Sequence, residues 1–553
     1  MRRRGARYRG SDEVDFIIVG SGAAGGVMAR ELSRAGFGIV VLEQGPRLSE
    51  RDFVHDELAF WFDYRISNHP KRHPQTFRHS ADEKAERRFD IPPLLYGRLV
   101  GGSSVHFTAN YWRFHPIDFI ERSVLGEIPG TGFADWPLTY EKLEPYYTKV
   151  DWEVGVSGEA GVNPLEPPRS RPYPMPPLPV KSSGVLFEKG CEALGFHSYP
   201  APMAITSQPY RGRSGCVHCG FCMGFGCEVR AKSSSLVTMI PEAEETGRCE
   251  VRPQSTVFRI ETNPAGRVTG VTYFDREGNE RFQRAKAVVL CANGAETPRL
   301  LLLSDSSRFA DGLANSSGLV GRYLMPNGQA LVGATFEHEL NEYKSVQVTR
   351  VMQDFYDADS KRGFYGGGGI DARLFYHPIL HAIGGNGPDA PWWGAEYKEL
   401  LREYPRRMYA QVHTTSLPLE TNNVTLDPEV KDEFGIPAIR VTLRDHPDDV
   451  AMVSFLQDRA VEILEAAGAR KVWKYPFEAT TVAAHLLGTC RMGDDPGGSV
   501  VDRYHRVHDI PNLFVCDGSS FVTSGRGQPT MTIQALAFRA AEHIAEFARR
   551  GEI

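Results

Sequence analysis

The chain has 553 residues, 41% hydrophobic and 24% charged, which is an ordinary globular composition with room for two domains or one large composite fold. Its net charge of −6 provides no basic field for nucleic acid. No stretch approaches the roughly 18 apolar residues of a membrane span. The basic run at 2–4 lacks the apolar segment of a secretion signal, so we expect a solvated tail there and a cytoplasmic location.

The first predicted unit begins with an apolar strand over 16–19 that leads into Gly20-x-Gly22-x-x-Gly25. An alanine-rich helix and a second apolar strand over 39–42 follow, and that strand ends on Glu43. In this pattern the first glycine allows the tight turn, the second lets the backbone approach a pyrophosphate, and the third lets the helix pack on the strand. The helix N-terminus attracts phosphate, and Glu43 can accept from a ribose 2′-hydroxyl. We therefore predict dinucleotide binding.

Later segments indicate that the same domain resumes after a long interruption. Residues 251–262 have the pattern of a strand, and residues 287–290 form a buried strand followed by an apolar helix over 298–303. One more apolar strand ends on Asp517. The nucleotide-binding domain is therefore predicted to be assembled from separated stretches of the chain, which are residues 12–50, 92–118, 180–325 and 482–550.

The blocks between these stretches are predicted to form a second domain with a mixed sheet. Its clearest strands are 424–428 and 438–443, whereas 340–410 is interpreted as loops and short strands. The predicted fold class is α/β, with a discontinuous Rossmann-like domain and an α+β second domain. The blocks assigned to the second domain are residues 51–91, 119–179 and 326–481.

Four further passages carry the resemblance to a family. They are Gly97-Arg-Leu-Val-Gly-Gly-Ser-Ser-Val-His-Phe, Ala292-Asn-Gly-Ala-Glu-Thr-Pro-Arg-Leu, His485-Leu-Leu-Gly-Thr-Cys-Arg-Met-Gly, and the segment from Val501 through Asp517 to Thr532. Together with the N-terminal unit, they closely resemble the GMC (glucose–methanol–choline) flavoprotein oxidoreductases. The resemblance implies that the dinucleotide is FAD, and that the Rossmann-like domain is an FAD-binding domain beside a substrate domain.

The resemblance also implies which residues contact FAD. His106 matches a position that some members use to tether the flavin through its 8α carbon, while others keep a histidine there and bind the cofactor noncovalently. Both alternatives stay open. The cofactor-binding residues are expected to be Gly20, Gly22, Gly25, Glu43, Gly101, Gly102, Ser103, His106, Val257, Asp517, Pro529 and Thr530.

His485 is the expected catalytic base, since oxidation of an alcohol by hydride transfer needs a group that takes the hydroxyl proton. An imidazole with an ordinary pKa of about 6.5 is suited to that task. The family's second catalytic position is usually His or Asn before Pro, and here it is Gln528 before Pro529. Glutamine keeps an amide that can orient the hydroxyl but is not a base, which argues against a two-histidine mechanism.

Four thiols lie within twelve residues, at Cys216, Cys219, Cys222 and Cys227. Their spacing is close to that of ferredoxins, and some related dehydrogenase subunits bind a [3Fe–4S] cluster in this region. An iron–sulfur cluster is the first interpretation. A structural zinc is a second, although four-cysteine zinc sites usually pair two separated knuckles. The third interpretation is a loop with reduced thiols or a disulfide.

A narrower resemblance is to the large subunits of bacterial gluconate, fructose and FAD-glucose dehydrogenases, through residues 135–147 and the cysteine cluster. It implies oxidation of an alcohol group on a sugar, polyol or glycoside. Since a cluster would pass the flavin's electrons one at a time to an outside acceptor, we also predict a partner, either a small companion subunit or a cytochrome. Such dehydrogenases are exported with a signal-bearing partner, so a periplasmic location is the alternative to a cytoplasmic one. The alternative functions are an oxygen-using oxidase, a non-redox enzyme like hydroxynitrile lyase with structural FAD, and a flavin subunit that acts only within a complex.

Overall fold

The computed structural model describes residues 7–553, so the predicted basic tail at 2–4 lies outside the described residues. The strands, in chain order, are β1 (Val14–Val19), β2 (Ile39–Leu42), β3 (Gln75–Arg78), β4 (Glu86–Arg87), β5 (Ser198–Pro200), β6 (Cys249–Arg252), β7 (Thr256–Thr262), β8 (Val268–Phe274), β9 (Glu280–Leu290), β10 (Gln329–Thr335), β11 (Val348–Met352), β12 (Gly368–Arg373), β13 (Arg407–Thr414), β14 (Asn423–Lys431), β15 (Pro437–Thr442), β16 (Lys471–Lys474) and β17 (Leu513–Val515). The α-helices are α1 (Ala23–Arg34), α2 (Glu121–Leu125), α3 (Tyr140–Val150), α4 (Ser182–Ala193), α5 (Met239–Glu245), α6 (Asn293–Leu303), α7 (Pro378–Gly384), α8 (Gly394–Arg402), α9 (Pro447–Ala466) and α10 (Thr530–Arg549).

The first sheet is the predicted nucleotide-binding sheet. Its parallel part has the order β6-β2-β1-β9, with β17 also parallel to β9, and β8 and β7 extend it in antiparallel fashion. Strands β1 and β2 are continuous apolar runs because the parallel core is buried, with α1 packed on both strands. The predicted strands at 16–19, 39–42 and 287–290 are confirmed.

One prediction in this sheet was wrong in detail. The single strand expected over 251–262 is two strands, β6 and β7, because Pro253 has no N–H to donate and Gln254 adopts a left-handed φ of 53°. The N–H of Gln254 donates instead to the Gly45 carbonyl. The helix predicted over 298–303 is confirmed as the C-terminal part of α6, which begins earlier, at Asn293.

The second sheet has six antiparallel strands in the order β16-β10-β13-β12-β11-β5. Helices α4 and α9 cover one face, and the alternating apolar residues of β12 and β13 pack against them. Half of this sheet comes from the region 340–410, where the sequence indicated only short strands. Strand β5 also belongs to it, although its residues fall within the blocks predicted for the nucleotide-binding domain.

The third sheet is the mixed sheet, with the order β14-β15-β3-β4 and β15 parallel to β3. It contains the two predicted strands at 424–428 and 438–443. Its apolar side packs near α6 of the nucleotide-binding sheet, with Val424, Ile439, Ala295 and Leu486 in one buried cluster. The predicted α/β class with a Rossmann-like core and a second sheet region is confirmed, while the predicted domain boundaries stay a prediction.

Within residues 7–553 no helix combines the length and the apolar character needed to span a bilayer.

Candidate active site

A cavity of about 500 Å³ joins the nucleotide-binding sheet to the six-stranded sheet. Among the predicted site residues, Gly25 and Gly101 lie next to residues of the cavity wall but do not line the cavity themselves. The four clustered cysteines do not line the cavity either. The predicted site residues that line the cavity are Gly20, Gly22, Glu43, Gly102, Ser103, His106, Val257, His485, Asp517, Gln528, Pro529 and Thr530. The structure thus brings most of the predicted cofactor residues and both predicted catalytic residues to one place.

The turn between β1 and α1 needs its glycines. Gly20 has a φ of 94°, and a Cβ there would lie 2.4 Å from the Cys291 carbonyl oxygen. A Cβ on Gly25 would lie 2.0 Å from the Gly20 carbonyl oxygen, so this glycine permits the close packing of helix on strand. At Gly22 the nearest atom to an added Cβ would be Gly102 Cα at 3.9 Å, which leaves open space toward the cavity.

The N-terminus of α1 is suited to a phosphate group. Its N-cap, Gly22, has no side chain to accept from the first-turn N–H groups, and that turn contains no acidic residue. The unpaired donors and the positive end of the helix dipole therefore lie beside the cavity. This arrangement fits the pyrophosphate of FAD.

Glu43 is 5% exposed and anchors the glycine turn. One carboxylate oxygen accepts from the Ser21 N–H at 3.1 Å and from its hydroxyl at 2.7 Å, and the other accepts from the Gly45 N–H at 3.0 Å. Burial raises the pKa of Glu43 against the lowering effect of these hydrogen bonds. Each carboxylate oxygen can accept more than one bond, so the predicted role toward a ribose hydroxyl stays compatible with its position in the cavity wall.

His106 lines the cavity and has a ring nitrogen without a hydrogen-bond partner among the described residues. This nitrogen is Nε2, which is buried. Burial and the nearby Lys232 ammonium lower the pKa of His106 to about 4, so the ring is neutral. A neutral nitrogen without a partner beside the cavity fits contact with a flavin, and it leaves the covalent and noncovalent alternatives open.

Asp517 connects the end of β17 to the start of α6. Its carboxylate accepts from the Asn293 N–H at 3.0 Å, the Thr297 hydroxyl at 2.6 Å and the Ser519 N–H at 2.8 Å. Burial raises its pKa and these donors oppose that rise. Asp517 therefore holds the cavity wall in place more than it offers a free charge.

The hydrogen bond from His485 identifies its free nitrogen. The Nδ1 of His485 lies 3.2 Å from Asn327 Oδ1. Asn327 Nδ2 donates to the carbonyls of Thr414 at 2.9 Å and Gly525 at 3.0 Å, which orients the amide oxygen toward His485. The proton of the neutral imidazole is therefore on Nδ1, and Nε2 keeps a lone pair in a ring that lines the cavity.

The pKa of His485 departs from the ordinary value of a histidine. Burial, together with His413 and the Arg373 guanidinium, lowers it to about 3. The imidazole is consequently unprotonated at neutral pH, as a base that takes a hydroxyl proton must be.

A second histidine lies behind Gln528. Gln528 Nε2 donates to His413 Nδ1 at 3.1 Å, and His413 Nε2 donates to the Asp371 carboxylate. Although burial opposes ionisation of Asp371, Arg373 and His413 lower its pKa to about 2. Burial lowers the pKa of His413 against the opposing effect of Asp371, so the ring is a neutral connector. The second hydrogen on Gln528 Nε2 remains available to a substrate oxygen.

The four clustered cysteines do not form a metal site in this arrangement. Cys222 is buried and the other three are half-buried, and no thiol among the described residues is in a disulfide. Among residues 7–553 no group of three or more His, Cys, Asp or Glu side chains is placed to hold a metal ion. Burial raises the pKa of Cys216 to about 11 and that of Cys222 to about 12. The predicted iron–sulfur ligand set at Cys216, Cys219, Cys222 and Cys227 is thus not supported.

Lys232 is buried beside this loop, and its ammonium binds the loop backbone. Its Nζ donates to the carbonyls of Phe107 at 3.0 Å, Cys222 at 2.6 Å and Phe225 at 2.7 Å. Two of these carbonyl oxygens, those of Cys222 and Phe225, belong to the loop, and the third links it to Phe107. Gly224 of the same loop donates its N–H to the His106 carbonyl at 2.8 Å and lines the cavity.

Sequence reasoning missed Asn327, Asp371, Arg373 and His413. Asn327 lies in a turn with no motif, and its φ of 56° is visible only in the structure. The other three are on β12 and β13, where a polar residue alternates with an apolar one. That alternation was the available signal, although it does not reveal that the strands border the cavity.

Comparison with known proteins identifies the family. Two GMC oxidoreductase family models match residues 14–325 and 418–537. The chain therefore belongs to the GMC oxidoreductase family, as the resemblance of its motifs predicted, and it is an oxidoreductase.

Similar proteins include the 2-methyl-1,2-propanediol dehydrogenase of Mycolicibacterium austroafricanum, which is 34% identical over 97% of this chain and 96% of the relative. The fructose dehydrogenase large subunit of Gluconobacter japonicus is 30% identical over 97% of this chain and 98% of the relative. The crystal structure of a formate oxidase superposes with a TM-score of 0.67 at 17% identity, covering 100% of both chains, and shows the likeness of fold.

Proposed function

We propose that the protein is an FAD-dependent dehydrogenase that oxidises a CH–OH group of a sugar, polyol or glycoside to a carbonyl. The observation that best supports this is the free Nε2 of His485 beside Gln528, in the same cavity as the glycine turn and His106. The names of the two relatives, a diol dehydrogenase and a fructose dehydrogenase subunit, favour the same chemistry.

The protein side chains act on the hydroxyl group. His485 Nε2 takes the hydroxyl proton while Nδ1–H stays bonded to Asn327. Gln528 Nε2 donates its second hydrogen to the substrate oxygen, which holds the carbinol in place and favours the developing carbonyl. Bound FAD supplies the two-electron acceptor for the hydride that leaves the carbinol carbon.

We propose further that the electrons pass to an acceptor other than oxygen, either a companion subunit or a cytochrome. The support is that one relative is named as the large subunit of a dehydrogenase. The positions of the four clustered cysteines do not fit an iron–sulfur cluster, so no electron-transfer step is assigned to the cysteine loop. We propose a cytoplasmic location, with export beside a signal-bearing partner as the alternative.

Anaerobic mixing of the FAD-loaded protein with a panel of alcohols tests this function. We expect a sugar or polyol to bleach the flavin absorbance, and we expect an artificial acceptor to restore it much faster than oxygen does. A flavin that no alcohol bleaches would exclude a dehydrogenase and favour a lyase in which FAD is structural. Rapid reoxidation by oxygen would identify an oxidase.

A further inference from the structure

One face of the six-stranded sheet presents polar side chains where the sheet borders the cavity. Asp371 and Gln411 are directly paired between β12 and β13, and Arg373 and His413 lie two residues along their strands on the same face. We call Asp371, Arg373, Gln411 and His413 the polar face. The opposite face is apolar and packs with α9 through Ile370, Ala372, Ala410 and Val412.

Arg373 has one nitrogen that the protein does not use. Its Nε donates to Asp371 at 2.6 Å, and its Nη2 donates to the other oxygen of the same carboxylate. Nη1 has no hydrogen-bond partner among the described residues. Arg373 is 3% exposed and lines the cavity, so the free donor is buried except toward that space. A guanidinium nitrogen that faces the cavity and has no protein acceptor can donate to a polar group of a ligand there.

Two glutamines extend this surface. Gln411 Nε2 donates to Gln329 Oε1 at 2.9 Å, and both residues line the cavity. Gln411 is 4% exposed, and its Oε1 is buried without a partner. Since Gln329 is opposite His413 in the register of β10 and β13, both glutamines are on the cavity side of the sheet.

The polar face is also close to the reacting groups. A single imidazole, His413, separates Gln528 from Arg373: Gln528 Nε2 lies 3.1 Å from one ring nitrogen, and Arg373 Nη2 lies 3.3 Å from the other. A substrate whose carbinol lies between His485 and Gln528 can therefore place the rest of its chain against the polar face.

We propose that Arg373, Gln411 and Gln329 form a subsite for a second hydroxyl group of the substrate, and that the subsite selects uncharged polyols and sugars. This rests on the proposed function. The choice of a neutral group follows from Asp371, which is fully buried and already compensates the guanidinium charge. A substrate carboxylate would share Arg373 with a second carboxylate, whereas a hydroxyl oxygen needs only the donor Nη1.

Three probes of equal chain length test the subsite: 1-hexanol, sorbitol and gluconate, each mixed anaerobically with the FAD-loaded protein while flavin bleaching is followed. We expect sorbitol to be preferred to both others. Gln411→Leu, which keeps the Arg373–Asp371 pair, should lower the sorbitol-to-hexanol ratio of kcat/KM about 10-fold or more, roughly the loss of one hydrogen bond to a buried group. Arg373→Lys should do the same, because a lysine ammonium cannot reproduce the planar fork in which Nε and Nη2 bind Asp371 while Nη1 stays free.

Arg407→Lys is the matched control, since Arg407 is on the same face of β13 but bonds to Gly385 and Asn386 outside the cavity lining. It should leave the ratio unchanged. Calorimetric titration of sorbitol into His485→Ala, with and without Gln411→Leu, measures the subsite without turnover. An unchanged kcat/KM ratio in both subsite variants together with an unchanged sorbitol affinity after Gln411→Leu, or a preference for gluconate, would overturn the subsite while leaving the dehydrogenase function intact. If no alcohol bleaches the flavin, the proposed function itself fails, and the subsite inference falls with it.

Discussion

At His485, a hydrogen bond decides which ring nitrogen can act. Asn327 accepts from Nδ1 because its own amide hydrogens are held by two backbone carbonyls, and this leaves Nε2 as the only basic nitrogen. The same logic runs through His413, where Asp371 fixes the tautomer and thereby the orientation of the Gln528 amide. Gln528 stands where the family usually has His or Asn, and here a second histidine, His413, positions the Gln528 amide. His413 itself does not line the cavity.

The lowered pKa of His485 predicts an unusual pH profile. Because burial favours the neutral imidazole and lowers the pKa to about 3, the base stays unprotonated well below the range of an ordinary histidine. The kcat/KM for flavin reduction should therefore not fall between pH 7 and 5. A tenfold decrease per pH unit below about 6.5 would mean that the acting histidine titrates normally. Stopped-flow measurements across this range give the answer.

Asn327 should act as a positioning residue. Asn327→Gly keeps the left-handed backbone that glycine tolerates, and it removes the acceptor for His485. We expect kcat for flavin reduction to fall roughly 10- to 100-fold, with KM little changed and FAD retained, since about 1.4 kcal/mol of orientation corresponds to each factor of ten.

Asn341→Gly provides the control, because Asn341 has the same left-handed backbone, with a φ of 53°, away from the cavity lining. Its rate should match that of the parent protein. Equal losses in both variants would show that the effect comes from backbone flexibility and not from the histidine.

At the level of elements, two glycines of the β1–α1 turn have different roles: Gly22 faces the cavity, whereas Gly25 allows the helix to pack on the strand. Gly22→Ala places a methyl group in open space beside the cavity, so folding should be unaffected while FAD affinity falls about tenfold or more. Gly25→Ala places the same group 2.0 Å from the Gly20 carbonyl and should destabilise the fold by about 1–3 kcal/mol. Thermal unfolding and flavin titration of the two variants distinguish the roles. The same change in stability and in FAD affinity for both variants would contradict these two roles.

The turn could be predicted from the sequence because its signals are local. Strand, glycines, helix, second strand and Glu43 fall within about thirty residues, and each has one physical reason. The family motifs around His485 and Gln528 likewise predicted two residues that the structure brings into one cavity.

The polar face of β12 and β13 could not be predicted in the same way. Its position depends on pairing between residues about eighty apart, such as Gln329 with His413, and no local pattern specifies that register. The cysteine loop shows the converse failure. Thiol spacing and the resemblance to related dehydrogenase subunits suggested a cluster, whereas within residues 7–553 the structure places no group of three or more metal-ligand side chains together.

At the scale of the whole molecule, the cavity forms where the nucleotide-binding sheet meets the six-stranded sheet. The first contributes the glycine turn and Asp517, and the second contributes Arg373 and the glutamines. His485 and Gln528 come from the C-terminal part of the chain, and both line the cavity between the two sheets. Under the proposed subsite, cofactor binding and substrate selection are separate, and we expect substitutions on β12 and β13 to change substrate preference without loss of FAD.

The role of His485 as the base is tested by anaerobic flavin reduction with a bleaching alcohol in His485→Ala beside the parent protein. We expect the variant to retain FAD and its reduction rate to be lower by roughly two to four orders of magnitude, the range for loss of a positioned base. Near-normal bleaching in the variant would contradict this role and remove His485 from the mechanism.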